Sequence, residues 1–235
     1  QVGAGGECCG AGGASEDAWE ELPPMPTARR LCAATTCGGS LYVFGGESLW
    51  HSGTGLSAPL SLLGSDSVSK EYCQVNSAEC FTPLRGTWEC LPPMPVARAG
   101  CAAAALGGLV YVFGGRIGET VVDIVERYDP AIRRWERLPG LPSPRSGCAA
   151  AVIDGLLCVL GGKGANGRVQ DVVEAFDPRR GRWRHLAPMG SPRSAFAAAA
   201  LGGYIYAVGG FDGADGVGSC ERLDPVKGAW EWLAP

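Results

Sequence analysis

The stretch Trp135–Arg182, WERLPGLPSPRSGCAAAVIDGLLCVLGGKGANGRVQDVVEAFDPRRGR, is followed at once by another Trp that starts the same pattern again. Trp19, Trp88, Trp135, Trp183 and Trp230 mark the phase, with steps of 69, 47, 48 and 47 residues. Ten residues after each of the first four stands an Arg: Arg29, Arg98, Arg145 and Arg193. Twenty-six residues after the same Trp comes a diglycine: Gly45-Gly46, Gly114-Gly115, Gly161-Gly162 and Gly209-Gly210. Nine residues before each of the last four Trp stands a Glu: Glu79, Glu126, Glu174 and Glu221. Four kinds of marker holding phase over four copies define an internal repeat, and a repeat decides the architecture before any local reading does.

Within one unit the composition predicts strands. Small residues from Ser146 to Ala151, then Val152 and Ile153, lead to an Asp154-Gly155 turn, and Leu156–Leu160 form a second apolar run ending on the diglycine. Asp-Gly between two apolar runs is a hairpin signal. Gln170 to Phe176 alternate into Asp177-Pro178, and Arg182 to Leu186 carry the next Trp on a fourth short strand. Four short antiparallel strands per repeat describe the blade of a β-propeller, so the fold class is all-β. The small residues of the first strand fit an axis where bulky side chains would collide. Tyr111, Phe113, Tyr128 and Trp135 belong further out, where blades diverge and must bury area.

These residues resemble the kelch repeat: an Ala-rich strand, Tyr111-Val112-Phe113-Gly114-Gly115, then Val125-Glu126-Arg127-Tyr128-Asp129-Pro130, Trp135 and Leu138. The resemblance covers about residues 19–235. Tyr206-Ala207-Val208-Gly209-Gly210-Phe211-Asp212-Gly213 is most similar to the kelch domains of kelch-like (BTB-kelch) ubiquitin-ligase substrate adaptors. The expected domain is a kelch-type propeller over 19–235, with units at about 27–90, 97–137, 144–185 and 193–234. Trp19-Glu20-Glu21-Leu22 reads as the outer strand of a further blade. Residues 1–18, Gly-rich and without markers, are a flexible lead-in or a degenerate blade remnant. Kelch domains mostly have six blades, so the chain is expected to be a piece of a longer protein.

The step of 69 residues places an insertion at about 47–77, between the second and third strands of the first complete unit. It carries Leu49, Trp50, Leu56, Leu60, Leu62 and Leu63 among Ser and Gly. Long loops of this kind either pack a few apolar groups on their own blade or bind a partner.

The net charge of −4 does not call for nucleic acid, and no apolar run reaches the length of a membrane helix. Of the 11 Cys, Cys32, Cys101 and Cys148 share one repeat position, which the fourth copy fills with Phe196. Cys158 stands where other copies have Tyr, and Cys220 where they have Val. A Cys that alternates with hydrophobic residues is a small core residue, so these five are expected to be reduced and mostly buried, in a cytoplasmic protein.

No catalytic set, metal site or cofactor is expected. Only His51 and His185 are present, too few for the two His plus Tyr of copper enzymes built on kelch blades. The spacing of Cys73, Cys80 and Cys90 matches no zinc pattern, and neither a nucleophile elbow nor a phosphate loop occurs. Repeat Arg and Glu recur in every unit, whereas a catalytic group is needed once. They read as structural ion pairs, and the diglycines as backbone necessities.

What varies between units points to function. In an up-and-down blade the loops joining strands two and three share one face with the blade-to-blade connections. The residues after each Arg are Arg30, Ala99, Ser146 and Ser194; those after each diglycine are Glu47, Arg116, Lys163 and Phe211. In the adaptors that the chain resembles, these positions line the substrate-binding face near the axis. The expected partner-binding set is therefore Arg30, Glu47, Arg116, Ser146, Lys163, Ser194 and Phe211, joined by Trp50 of the insertion and by Asn166, Arg168 and Asp212 of neighbouring loops. Such a face suits an acidic or polar protein segment. The resemblance implies a non-catalytic interaction module recognising substrates for a ubiquitin ligase. A scaffold or cytoskeleton-binding propeller is the alternative, and an enzyme or metalloprotein on the same scaffold is the other class.

Overall fold

A computed structural model describes residues 20–50 and 71–234. Among these residues there is no helix, and four four-stranded antiparallel sheets follow one another along the chain. The first blade holds Ala33–Cys37, Ser40–Phe44, Ala78–Thr82 and Thr87–Leu91. The second holds Ala102–Leu106, Leu109–Phe113, Val125–Asp129 and Arg134–Leu138. Ala149–Ile153, Leu156–Leu160, Val173–Asp177 and Arg182–Leu186 make the third. Ala197–Leu201, Tyr204–Val208, Cys220–Asp224 and Ala229–Leu233 make the fourth. Each sheet is an up-and-down meander, and the Ala-rich inner strands of successive blades pack on one another around an axis. The fold is a four-bladed propeller arrangement of the kind the repeat implied.

Two expectations need adjusting. Glu20–Leu22 pair in no ladder among the described residues, and Trp19 lies outside them. An outer strand forms only against a third strand of its own blade, and the described residues contain none for it. The insertion at 47–77, expected as a loop, begins and ends as a two-stranded ribbon, Glu47–Trp50 against Glu71–Gln74. The reason is that every blade turns back on itself here: Arg116–Ile117 pair with Thr120–Val121, Lys163 bridges Val169, and Phe211 bridges Gly216. The insertion lengthens a hairpin that the fold already contains; residues 51–70, with Leu56, Leu60, Leu62 and Leu63, lie outside the described residues.

Three apolar clusters hold the blades together, each built from facing sides of two neighbours. Tyr42, Phe44 and Met94 meet Val110, Val112 and Tyr128 between the first and second blades. Tyr111, Phe113 and Val125 meet Leu157, Val159 and Phe176 between the second and third. Cys158, Leu160 and Val173 meet Ile205, Ala207 and Leu223 between the third and fourth. The period-marking Trp spans each seam. Trp135 lies edge-on to Phe44 of the preceding blade at 5.5 Å, and its Nε1 donates to Pro92 O at 2.9 Å. Trp183 repeats this with Phe113 and Pro139 O, and Trp230 donates to Ala187 O. An indole packed into a seam must place its N–H, and the preceding blade's carbonyl receives it.

The repeat Arg and Glu are the other fastener. Arg29 lies 2.8 Å from Glu79, Arg145 3.0 Å from Glu174, Arg193 2.9 Å from Glu221, and Arg98 pairs with Glu126. All eight side chains are removed from solvent. Spare guanidinium N–H groups go to backbone: Arg193 Nη1 donates to Gly209 O at 2.7 Å and Ser219 O at 3.1 Å. The diglycine passes so close that a Cβ on Gly161 would sit 2.4 Å from Arg193 O, at a φ of +55°. Side chains are excluded there on both counts.

A further hydrogen-bonded run crosses the seams near the axis: Gly100 N to Leu31 O, Gly147 N to Gly100 O and Ala195 N to Gly147 O, at 2.7–2.8 Å. Its four residues share left-handed φ values of 53°, 66°, 64° and 51°, yet Leu31 and Ala195 carry side chains. Ala195→Gly therefore removes strain and should raise stability by about 1 kcal/mol in denaturant unfolding. By contrast, Arg145→Ala leaves Glu174 charged and unpaired in the interior; a loss of about 3–5 kcal/mol is expected by the same measurement.

Candidate partner-binding face

The backbone brings the two variable positions of each repeat side by side. Arg30 and Glu47 exchange both backbone hydrogen bonds, at 2.9 and 2.8 Å. Ala99 pairs with Arg116, Ser146 with Lys163, and Ser194 with Phe211 in the same way. Residues that looked like two separate sets thus form four facing pairs, one at the mouth end of each blade.

Their side chains divide into a neutralised half and an open half. Glu47 is buried, and each of its carboxylate oxygens takes one guanidinium: Oε2 accepts from Arg30 Nε at 3.0 Å, and Oε1 accepts from Arg116 Nη2. This triad joins the first blade to the second and leaves one net positive charge instead of two. Arg30 also stacks on Tyr72, with its guanidinium carbon 3.5 Å from the ring centroid. Arg30, Glu47, Ser48, Leu49 and Tyr72 line a cleft of about 190 Å³. Gln74 completes the seam by bonding Gly118 N at 2.8 Å through Oε1. Tyr72 and Gln74 were not foreseen, because both lie in the insertion and have no counterpart in other repeats to compare. Trp50 falls on the same ribbon, and its side chain is outside the described residues.

At the mouth of the third blade the cations are unpaired. Lys163 and Arg168 are exposed and make no ion pair among the described residues. Asn166 Oδ1 accepts from Arg168 N at 3.0 Å and shapes that loop. Asp212 Oδ1 accepts from Ala214 N and Asp215 N, both at 2.8 Å, which holds its carboxyl below the usual carboxylate range. Phe211 presents an aromatic side chain to solvent, 42% exposed. The two loops adjoin, since a Cβ on Gly213 would lie 3.6 Å from Val169. Ser146 and Ser194 are half-buried between them and the axis. Of the three cations at the variable positions, Arg30, Arg116 and Lys163, Glu47 occupies the first two.

Among the described residues no group of three or more His, Cys, Asp or Glu is arranged to hold a metal ion. His185 is largely exposed, its Nδ1 3.8 Å from Glu174 Oε1. The nine described cysteines are free. Burial pushes the thiols of Cys148 and Cys158 up to about 12 and raises those of Cys101 and Cys32. Cys101, Cys148 and Cys158 are buried as expected, whereas Cys32 and Cys220 are half-buried. Cys32 lies at the start of the first described blade, and Cys220 on the face of the fourth that no described blade covers. Cys73 and Cys90 are exposed. Thiol labelling of the native protein should therefore modify Cys73 and Cys90 first and reach Cys101, Cys148 and Cys158 only on unfolding, as peptide mass analysis would record.

A family model described as Kelch motif matches residues 97–142, 144–190 and 192–235, which hold the second, third and fourth blades. Kelch-like protein 33 of Homo sapiens is 32% identical over 123 residues, 52% of this chain and 20% of that protein. Kelch repeat and BTB domain-containing protein 13 of Homo sapiens is 30% identical over 116 residues, 48% of the chain and 21% of the relative. An F-box/kelch-repeat protein of Arabidopsis thaliana is 33% identical over 100 residues, 43% of the chain and 21% of its own length. The chain thus spans about a fifth of the length of these relatives. Among solved structures, that of YjhT superposes with a TM-score of 0.71 at 18% identity, covering 91% of this chain and 68% of its own, a likeness of fold.

Proposed function

Given that the chain belongs to the Kelch motif family, we propose that it is a non-catalytic protein-interaction module whose mouth receives a segment of a partner protein. The observation that carries this reading is the contrast between fixed and variable positions. Arg, Glu and diglycine repeat in every blade and are consumed by internal bonds, whereas the paired positions at the mouth differ from blade to blade, with Arg30, Lys163 and Phe211 among them open to solvent. Lys163 and Arg168 supply unpaired charge beside Phe211, an apolar anchor, so an acidic segment with one aromatic or aliphatic side chain suits the third and fourth blades. The Arg30–Glu47–Arg116 triad with Tyr72 supplies a pre-shaped, nearly neutral wall on the other side.

The relatives named for BTB and F-box segments extend the reading to substrate recognition for a ubiquitin ligase, with this chain as the receptor part. Free, raised-pKa thiols in the core are compatible with work in the reducing cytoplasm.

The test is a partner captured from native extract by crosslinking and identified by mass spectrometry, then remeasured as a purified pair. Lys163→Glu with Arg168→Glu, and separately Phe211→Ala, should each weaken that pair about tenfold or more, with unfolding curves unchanged. Undiminished binding in both variants would refute the mouth as the receptor face.

A further inference from the structure

The repeat breaks its own charge rule once, on the outer strand of the third blade. In the other three blades the residue after the Trp is an acid, Glu89, Glu136 or Glu231, and each is paired with an Arg: Arg133, Arg127 and Arg222 respectively. The third blade has Arg184 at this place, and the strand partner where Arg127 or Arg222 would stand is Ala175. Arg179, Arg180 and Arg182 precede it, and all four are exposed. Only Arg180 has an acid in reach among the described residues, Asp177 at 3.6 Å. A protein of net charge −4 thus carries three uncompensated guanidinium groups close together, Arg179 in the turn and Arg182 and Arg184 on the edge strand.

Two structural features sit beside this run. Arg182–Leu186 is the last strand of its sheet, so its far edge offers unpaired backbone N–H and C=O groups. Arg184 and His185 also line a cleft of about 340 Å³ at the seam with the fourth blade, with Ile153, Leu156, Leu223 and Pro225 as its apolar part. Asp154, the one carboxylate in its wall, makes no ion pair with Arg184. The cleft lies by the strand-one-to-two and strand-three-to-four turns, at the end of the blades opposite the mouth.

We propose that this edge is a second docking surface, which takes an extended acidic peptide segment as an added strand. Its carboxylates would lie across from Arg182 and Arg184, and one aliphatic side chain would enter the seam cleft. Charge on an edge strand ordinarily repels all comers. Each of the other three edges carries an Arg–Glu pair at this place, whereas the third carries only cations on Arg182–Leu186; an edge of one sign rejects basic strands and attracts acidic ones. Backbone pairing supplies affinity and the alternate side chains supply selectivity, as in other strand-addition complexes. A polyanionic nucleic acid would meet the same charge but would use neither the backbone edge nor the apolar cleft.

The experiment measures binding of a fluorescein-labelled, Glu-rich peptide of about ten residues with a central Leu, by anisotropy at low and physiological salt. Its variant transplants the first blade's own residues, Thr87 and Glu89, into the third: Arg182→Thr with Arg184→Glu. The peptide should bind about tenfold more weakly to this variant, with an unchanged melting curve, and salt should weaken its binding to the unaltered protein. Arg184→Gln alone, similar in length, should give a smaller loss and covers the case of a poorly folding double variant. Peptide saturation should slow amide exchange at 182–186, and the mouth variant Lys163→Glu/Arg168→Glu should bind as the unaltered protein does. The proposal is overturned by absent binding, by equal binding to the variants, or by loss in the mouth variant instead. Tighter binding of a charge-matched single-stranded oligonucleotide would also overturn it, in favour of a nucleic acid ligand.

Discussion

Everything at the mouth depends on a guanidinium that has been taken fully out of water. Each blade-to-blade connection delivers one Arg into the interior, where a charge is tolerable only with a countercharge and hydrogen-bond acceptors around it. A Glu from the third strand supplies the countercharge, and backbone carbonyls, most often that of the first Gly of the diglycine, take the remaining N–H groups. For the diglycine to come this close it must lack side chains, which ties a second sequence marker to the first. The connection and the strand end are then held in register, and the residue after the Arg faces the residue after the diglycine. A buried ion pair thus fixes the backbone frame on which exposed residues are free to vary.

The seams add a second, purely local rule. Each apolar cluster joins two neighbouring blades and no more, so stability is close to a sum of blades and nearest-neighbour interfaces. The fourth blade shows what an uncovered interface looks like: Val208 is 47% exposed, while its equivalents Phe44, Phe113 and Leu160 are fully buried.

Residues that recur were legible in the sequence. Trp, Arg, Glu and the diglycine announced blades, seams and internal ion pairs because each is needed four times for the same physical reason. Asp154-Gly155 marked its hairpin through a turn that demands positive φ, and both residues have it. Features made once were harder to see. Glu47 stood among the expected partner-binding residues, and nothing in the chain says that its carboxylate reaches Arg116, 69 residues away. Tyr72 and the ribbon of the insertion had no second copy to compare. Arg184 was visible in the sequence, but its meaning required knowing that Glu89, Glu136 and Glu231 are all engaged with Arg on the same outer edge.

The ribbon in the first blade also bears on how that blade assembles. Its second and third strands are separated by residues 45–77, whereas the corresponding gap in the second blade is 114–124. Closing a loop three times as long costs about 1 kcal/mol more in chain entropy. Zipping Glu47–Trp50 onto Glu71–Gln74 brings Gly46 and Val75 into hydrogen-bonding contact and shortens the gap that the blade must still close. Hairpins form in microseconds, well before sheets with distant partners. The ribbon therefore divides one long closure into two shorter ones, the 20 residues between Trp50 and Glu71 first and then the few that remain between Phe44 and Ala78.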